Sequence, residues 1–299
     1  MDILISGASG LAGTALSEAL TARGDSVYSL VRSLNEESDT AIYWNIKDQQ
    51  IDKSRLEGFD AAIHLAGKNI AGIWTPKFKR ELRDSRVYGT KLLTETFAGL
   101  KNPPSVFLSA SAVGFYGDTG TVAVDEDSPA PAEGFLPILA CEWEGAVSEA
   151  FKKKSRVCVM RLGVVLSKEG GALKKMLLPF KLGLGGRVGD GKQYFSWVSI
   201  EDVVGAFLFC LDTASVEGPV NVVSPNPVTN SEFTKALGNV LKRPTIIPLP
   251  AFVVKVVLGE MGENLLLAST RVKPTKLLAA GYTFRHKKVD EALQAELSG

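Results

Sequence analysis

Only three cysteines and two histidines occur in 299 residues, and Lys plus Arg outnumber Asp plus Glu by 34 to 33. Cys141, Cys158 and Cys210 are far apart and lack metal-ligand spacing. They read as buried apolar thiols in a reducing compartment. With His64 and His286 as the sole imidazoles, neither a zinc site nor a His-based triad is expected, and no metal is assigned. A net charge of +1 provides no electrostatic footprint for nucleic acid or an acidic membrane surface. No run of about 18 uncharged apolar residues is present, so no membrane-spanning helix is expected. The opening apolar run, Ile3-Leu4-Ile5, stops at Gly7 without a basic leader, too short for a signal-peptide core. The cytoplasm is the expected location, with a disulfide-free organelle lumen as the alternative. The expected partner is a small molecule, with no nucleic acid and no membrane, bound by a monomer or homodimer.

What the chain does have is alternation. Apolar runs at 3–6, 27–32, 61–65, 105–109 and 156–162 read as strands, and 13–23, 77–100 and 135–154 read as helices between them. Continuous apolar strands separated by helices predict an α/β fold, a Rossmann-type doubly wound parallel sheet covered on both faces. After Leu166 glycines cluster from Gly183 to Gly191 and prolines recur. This shift divides the chain into a Rossmann domain, 1–165 with about 196–222 returning to it, and a smaller C-terminal α/β substrate domain, 166–195 and 223–299. Helix-like patterns at 252–258 and 289–297 are expected to cover the smaller domain or to pair with another subunit.

The strongest local signal is Gly7-Ala-Ser9-Gly10-Leu11-Ala-Gly13, which follows a strand and opens a helix. Gly7 permits the tight turn, Gly10 lets backbone amides approach a pyrophosphate, and Gly13 lets the helix pack on the sheet. The helix N-terminus adds free N–H groups and the positive end of its dipole. A second position selects the dinucleotide. An NAD-selective site carries Asp or Glu after the second strand, whereas this chain has Arg32, suited to a 2′-phosphate. NADP(H) is therefore the expected cofactor.

Other segments widen this reading. The glycine loop, Ile63-His-Leu-Ala-Gly67, Arg86-Val-Tyr-Gly-Thr90, Ser109-Ala-Ser-Ala-Val-Gly-Phe-Tyr-Gly117 and Glu126-Asp-Ser-Pro129 occur in this order. Arg161-Leu-Gly-Val-Val165, Gly189-Asp-Gly191 and Phe195-Ser-Trp-Val-Ser-Ile-Glu-Asp202 follow. Together they resemble the extended short-chain dehydrogenase/reductase family, which includes the nucleotide-sugar epimerases. Trp143-Glu144, Leu178 to Gly186 and the tail from Pro248 to Phe284 are similar to an epimerase-like oxidoreductase branch ending in a domain of unknown function. The resemblance implies that Leu65, Ala66 and Gly67 pass beneath the adenine–ribose part of the cofactor and that Asn45 and Ile46 flank adenine. It places Ser109 near the nicotinamide ribose and Ser111 at the family's catalytic Ser/Thr. It also makes the region 177–197 the mouth of the substrate cleft, with Arg187, Lys192, Gln193 and Tyr194 as polar candidates.

Two departures bear on chemistry. Family enzymes carry a Tyr and a Lys four residues apart on one helix, the tyrosine exchanging a proton and the lysine lowering its pKa. Here one register puts Leu136 and Ala140 at those positions and the other Phe135 and Leu139, none with a titratable group. The family's Asn before Val-x-Gly-Thr is Arg86, which cannot relay protons near neutral pH but can meet a cofactor phosphate or substrate carboxylate. Glu81 is a candidate acceptor for a ribose hydroxyl, with a surface ion network as the plain alternative. Tyr116 is the phenol placed to replace the missing donor, against a purely structural role. Cys141 is expected in the core, and His64 as a satisfied core histidine. Two functions stay open. One is an NADP(H)-dependent oxidoreductase acting on a small substrate, anionic if Arg86 meets it. The other is a non-catalytic NADP(H)-binding redox sensor or regulator, of a cell-division-related kind.

Overall fold

In the computed structural model, which describes residues 1–298, eight strands form one sheet. The first six in chain order are β1 (Asp2–Ser6), β2 (Ser26–Val31), β3 (Ala41–Asn45), β4 (Gln50–Ile51), β5 (Ala61–His64) and β6 (Val106–Ala112). Strands Arg156–Leu162 and Gly218–Val222 complete it. The spatial order is Gly218–Val222, Arg156–Leu162, β6, β5, β1, β2, β3, β4. All neighbours are parallel except β4, which pairs antiparallel with β3. The chain leaves β1 toward β2 on one side and returns as β5 on the other. A topological switch point therefore lies at the carboxyl ends of β1 and β5, where ligands of such sheets bind.

Alternation along the strands builds two cores. Ile3, Ile5, Ile63 and Leu108 face helix α1 (Leu11–Arg23) and helix Ile200–Asp212, with Leu16, Leu20 and Phe207 fully buried. Leu4, Ala62 and Phe107 face the opposite side, where they meet Leu92, Leu93 and Phe97 of helix α2 (Pro76–Ala98) and Phe151. Helix α2 starts where the sequence dictates: the Thr75 hydroxyl accepts from the Phe78 amide, and Pro76 supplies the first residue. The helix pattern expected over 135–154 is interrupted. Helix α3 (Phe135–Gly145) ends, Val147 turns into the core, and the Ser148 amide donates to the Thr94 hydroxyl before a short helix, Glu149–Lys152.

A third core joins Leu173, Leu177, Trp197, Phe233 and Leu293 in the C-terminal lobe. The tail is tied back to the sheet side. Asp202, 1% exposed near the start of helix Ile200–Asp212, accepts from the Arg285 and His286 amides at 2.7 and 2.9 Å and from the Tyr282 hydroxyl at 3.2 Å. Glu296 accepts from the Ser167 hydroxyl and the Lys168 amide. Cys158 and Cys210 are buried, but Cys141 is exposed on α3, contrary to the expectation from cysteine usage: the buried faces of α3 are taken by Pro137, Leu139, Ala140 and Trp143. Among the described residues no helix is long and apolar enough to cross a membrane, and no cluster of His, Cys, Asp or Glu could hold a metal ion.

Candidate functional site

At the switch point a cavity of about 810 Å³ opens over the carboxyl ends of β1, β2 and β5. Of the residues singled out in the sequence, Gly7, Ser9, Gly10, Arg32, Ile46, Leu65, Ala66, Gly67 and Glu81 line it. A second cavity of about 720 Å³, lined also by Asn45, Lys47 and Tyr88, shares Arg32, Trp44, Ile46, Glu81 and Ser85 with the first, so the two form one continuous cleft. Gly7 has φ of 74°, and a Cβ there would meet the Leu65 carbonyl carbon and the Ala66 amide at 2.9 Å. A Cβ on Gly13 would overlap the Gly7 carbonyl oxygen. Only glycine lets the loop lie this close to both neighbours. The start of α1 has no side-chain cap and no acidic residue in its first turn, leaving its positive end open to an anion. This cradle, with its uncapped helix end, fits a dinucleotide pyrophosphate.

The floor of the cradle is braced from below. The Ser6 hydroxyl accepts from the Leu65 and Ala66 amides at 3.2 and 3.3 Å and lies 2.6 Å from His64 Nδ1. His64 is fully buried between Trp44 and Phe107, and burial pulls its pKa down to about 4. It is a neutral core histidine with one ring nitrogen bonded and Nε2 unpartnered. Arg86 lies behind the cleft wall. It donates to the Leu82 and Lys68 carbonyls at 3.0 Å each, lies 5.1 Å from the Trp143 ring centre, and backs Gly67. Burial lowers its pKa to about 10, which still leaves it protonated at neutral pH. Glu81 forms an exposed ion pair with Lys68 at 2.9 Å on the rim. Leu11 packs on Gly170, and Ser109 is buried at 2% exposure.

Deeper along the sheet, register creates a polar row. Ser111 on β6, Arg161 and Asn221 are direct lateral partners across three strands. Ser111 donates to Glu144 on α3 at 2.7 Å. Arg161 grips the same carboxylate through Nε and NH2, each at 2.8 Å, and its NH1 donates to the Tyr116 hydroxyl at 2.8 Å. Tyr116 donates in turn to Asn221 at 2.8 Å. The phenol is 3% exposed, and burial pushes its pKa up. Its hydroxyl is thus committed to the network, as is that of Ser111, which is 2% exposed and ends the row nearest α3. Glu144 and Arg161 stand in the sequence only as members of motifs and Asn221 in none; nothing local indicates that they converge.

Helix α3 presents an apolar wall. Phe135, Leu136 and Leu139 cluster with Ile70, Trp74 and Leu82 and with Met261 and Leu265 from the tail. Lys79 donates to Glu260 at 2.6 Å, and the Gly72 amide to the Met261 sulfur at 3.4 Å, fastening the tail over this wall.

Residues 3–223 match the family model described as the NAD dependent epimerase/dehydratase family. The chain belongs to that family. Residues 249–296, the tail just described, match a domain of unknown function, DUF1731. An epimerase family protein of Mycobacterium leprae is 40% identical over 97% of this chain and 94% of its own. The human epimerase family protein SDR39U1 is 37% identical over 98% of this chain and 99% of its own. The crystal structure of that human protein with NADPH covers 100% of this chain and 99% of its own, with a TM-score of 0.90 and 35% identity. As a member of this family the chain has the doubly wound architecture expected from its strand and helix pattern.

Proposed function

We propose that the protein is an NADP(H)-dependent, epimerase-like oxidoreductase acting on a small substrate, with residues 1–165 and 196–222 holding the cofactor and the remaining residues shaping the substrate side. The observation that carries the reading is Arg32, at the tip of β2, lining both parts of the cleft where an NAD-selective site would carry a carboxylate. The human relative crystallised with NADPH supports it. Gly7, Ser9 and Gly10 with the start of α1 would hold the pyrophosphate, Arg32 the 2′-phosphate, and Asn45 and Ile46 the adenine. Leu65, Ala66 and Gly67 would form the floor, with Arg86 fixing the loop behind Gly67. A bound nicotinamide supplies hydride exchange. Ser111, its own proton held on Glu144, would serve as an acceptor for a substrate hydroxyl. With an apolar wall on α3, the proton comes from water rather than from a tyrosine–lysine pair.

The test is a titration with NADPH and NADH. Arg32→Ala should weaken NADPH binding by about 10- to 100-fold, the worth of a charge-assisted hydrogen bond of about 1.5–3 kcal/mol, while NADH affinity barely moves. Equal losses for both would sink the assignment. The apolar wall favours a second reading, a non-catalytic NADP(H)-binding regulator. Oxidation of NADPH in molar excess over protein on addition of candidate carbonyl metabolites requires the enzyme. Binding without turnover across such a panel favours the regulator.

A further inference from the structure

A cavity of about 340 Å³ in the C-terminal lobe shares no lining residue with the dinucleotide cleft. Arg187, Lys235, Ser231, Thr234 and Thr245 supply its polar wall, Ile246 and Pro248 its apolar lip. No carboxylate lines it. The one acid in the first turn of the adjoining helix, Glu232, is occupied elsewhere: its carboxylate accepts from the Thr229 amide and hydroxyl in a capping box. Thr234, 4% exposed, lines the cavity beside Ser231 and Lys235 of the same helix.

Hydrogen bonds tie together the backbone around these groups. The Leu249 amide donates to the Arg187 carbonyl at 2.8 Å, and the Val188 amide to the Asn230 side chain at 2.8 Å. The amides of Asn230, Ser231 and Glu232 are already bonded, to Gln193 O, Gly191 O and the Thr229 hydroxyl. Recognition therefore falls to the side chains and not to a free helix end. A Cβ at Gly191 would overlap the Ser231 hydroxyl, so the Gly189-Asp190-Gly191 turn serves to bring Ser231 against Arg187.

We propose that this cavity binds the phosphoryl group of a small phosphomonoester. A guanidinium, an ammonium and three hydroxyls offer more donors than a carboxylate has acceptors, and they match the charge and three oxygens of a phosphoryl dianion. The apolar lip receives the organic part, and the volume lies at the small end of ligand sites.

The experiment is calorimetric titration of the full chain with glycerol phosphate and with inorganic phosphate, at matched ionic strength against chloride. Wild type is compared with Arg187→Met/Lys235→Met and with Thr234→Val. Saturable binding is expected, weakened about tenfold or more in the double variant and several-fold in Thr234→Val. Unchanged thermal midpoints without ligand show that the variants are folded, independently of any dinucleotide. Tighter binding of the ester than of inorganic phosphate supports the phosphomonoester. Equal binding of the two removes the role of the lip and leaves free phosphate as the ligand, overturning the ester. Absence of saturable binding up to about 10 mM of either probe, or equal binding by wild type and the double variant, overturns the site altogether.

Discussion

Arg161→Met probes the polar row at the end of the sheet most sharply. Arg161 makes two bonds of 2.8 Å to Glu144 and one of 2.8 Å to Tyr116, and its guanidinium stands 3.5 Å from the Phe115 ring centre. Its side chain is 5% exposed and that of Glu144 14%. Methionine retains much of the aliphatic stem but leaves a nearly buried carboxylate without a counter-charge. Removing one partner of such a pair costs about 3–5 kcal/mol, a large part of a typical total of about 5–15 kcal/mol. At about 2 °C per kcal/mol for a chain of this size, the thermal midpoint falls by about 6–10 °C. The paired variant Arg161→Met/Glu144→Gln removes the orphaned charge, and its loss should be less than about half that of the single variant. Urea unfolding followed by tryptophan fluorescence measures both. A single variant within about 1 kcal/mol of wild type, or a double variant no better than the single one, would refute the account in which Arg161 neutralises Glu144.

Further expectations concern the cradle and the thiols. His64 is held neutral by burial, its pKa lowered from 6.5 to about 4, so its contribution is fully present above pH 6.5 and lost as pH falls toward 4. The unfolded chain takes up the proton first in this window; stability should drop by about 3 kcal/mol across it, and His64→Asn should flatten the slope measured by denaturation at several pH values. Gly13→Val should drop the thermal midpoint through overpacking of about 1–3 kcal/mol or more and abolish dinucleotide binding, because its Cβ would overlap the Gly7 carbonyl. A wild-type midpoint would show that the loop yields. In native protein a thiol reagent should label Cys141 alone, with Cys158 and Cys210 reacting only after unfolding; rapid labelling of more than one thiol would contradict their burial.

Local and non-local features differ in how far the sequence exposes them. The strand, glycine loop and helix of residues 2–23 are legible because turn, cradle and helix start depend on near neighbours alone. Strand β3 gives no apolar run of its own, because Ala41–Asn45 is a short aromatic stretch framed by polar residues; only the family resemblance sets a strand before Asn45. Strand Gly218–Val222 opens on Gly-Pro, a usual breaker; it is tolerated because this strand pairs on one side only, at the edge of the sheet. In the site, Arg32 and Glu81 are readable from their places beside a strand end and on a helix. The joining of Ser111, Glu144, Arg161 and Asn221 is not, since it rests on interstrand register and on contacts between segments distant in the chain. The apolar wall is half visible: the missing tyrosine and lysine can be read from the sequence, but not that Met261 and Leu265 arrive from the tail to cover the wall.

That covering has a consequence for the life of the molecule on the ribosome. The chain emerges N-terminus first, so the dinucleotide cradle can fold while Met261 and Leu265 are still unmade. Until they arrive, Trp74, Phe135 and Leu139 present an open apolar face. Asp202 likewise waits for the amides of Arg285 and His286. A stalled or clipped product lacking its last fifty or so residues is therefore not a smaller working protein but an adhesive one, prone to aggregate or to occupy chaperones.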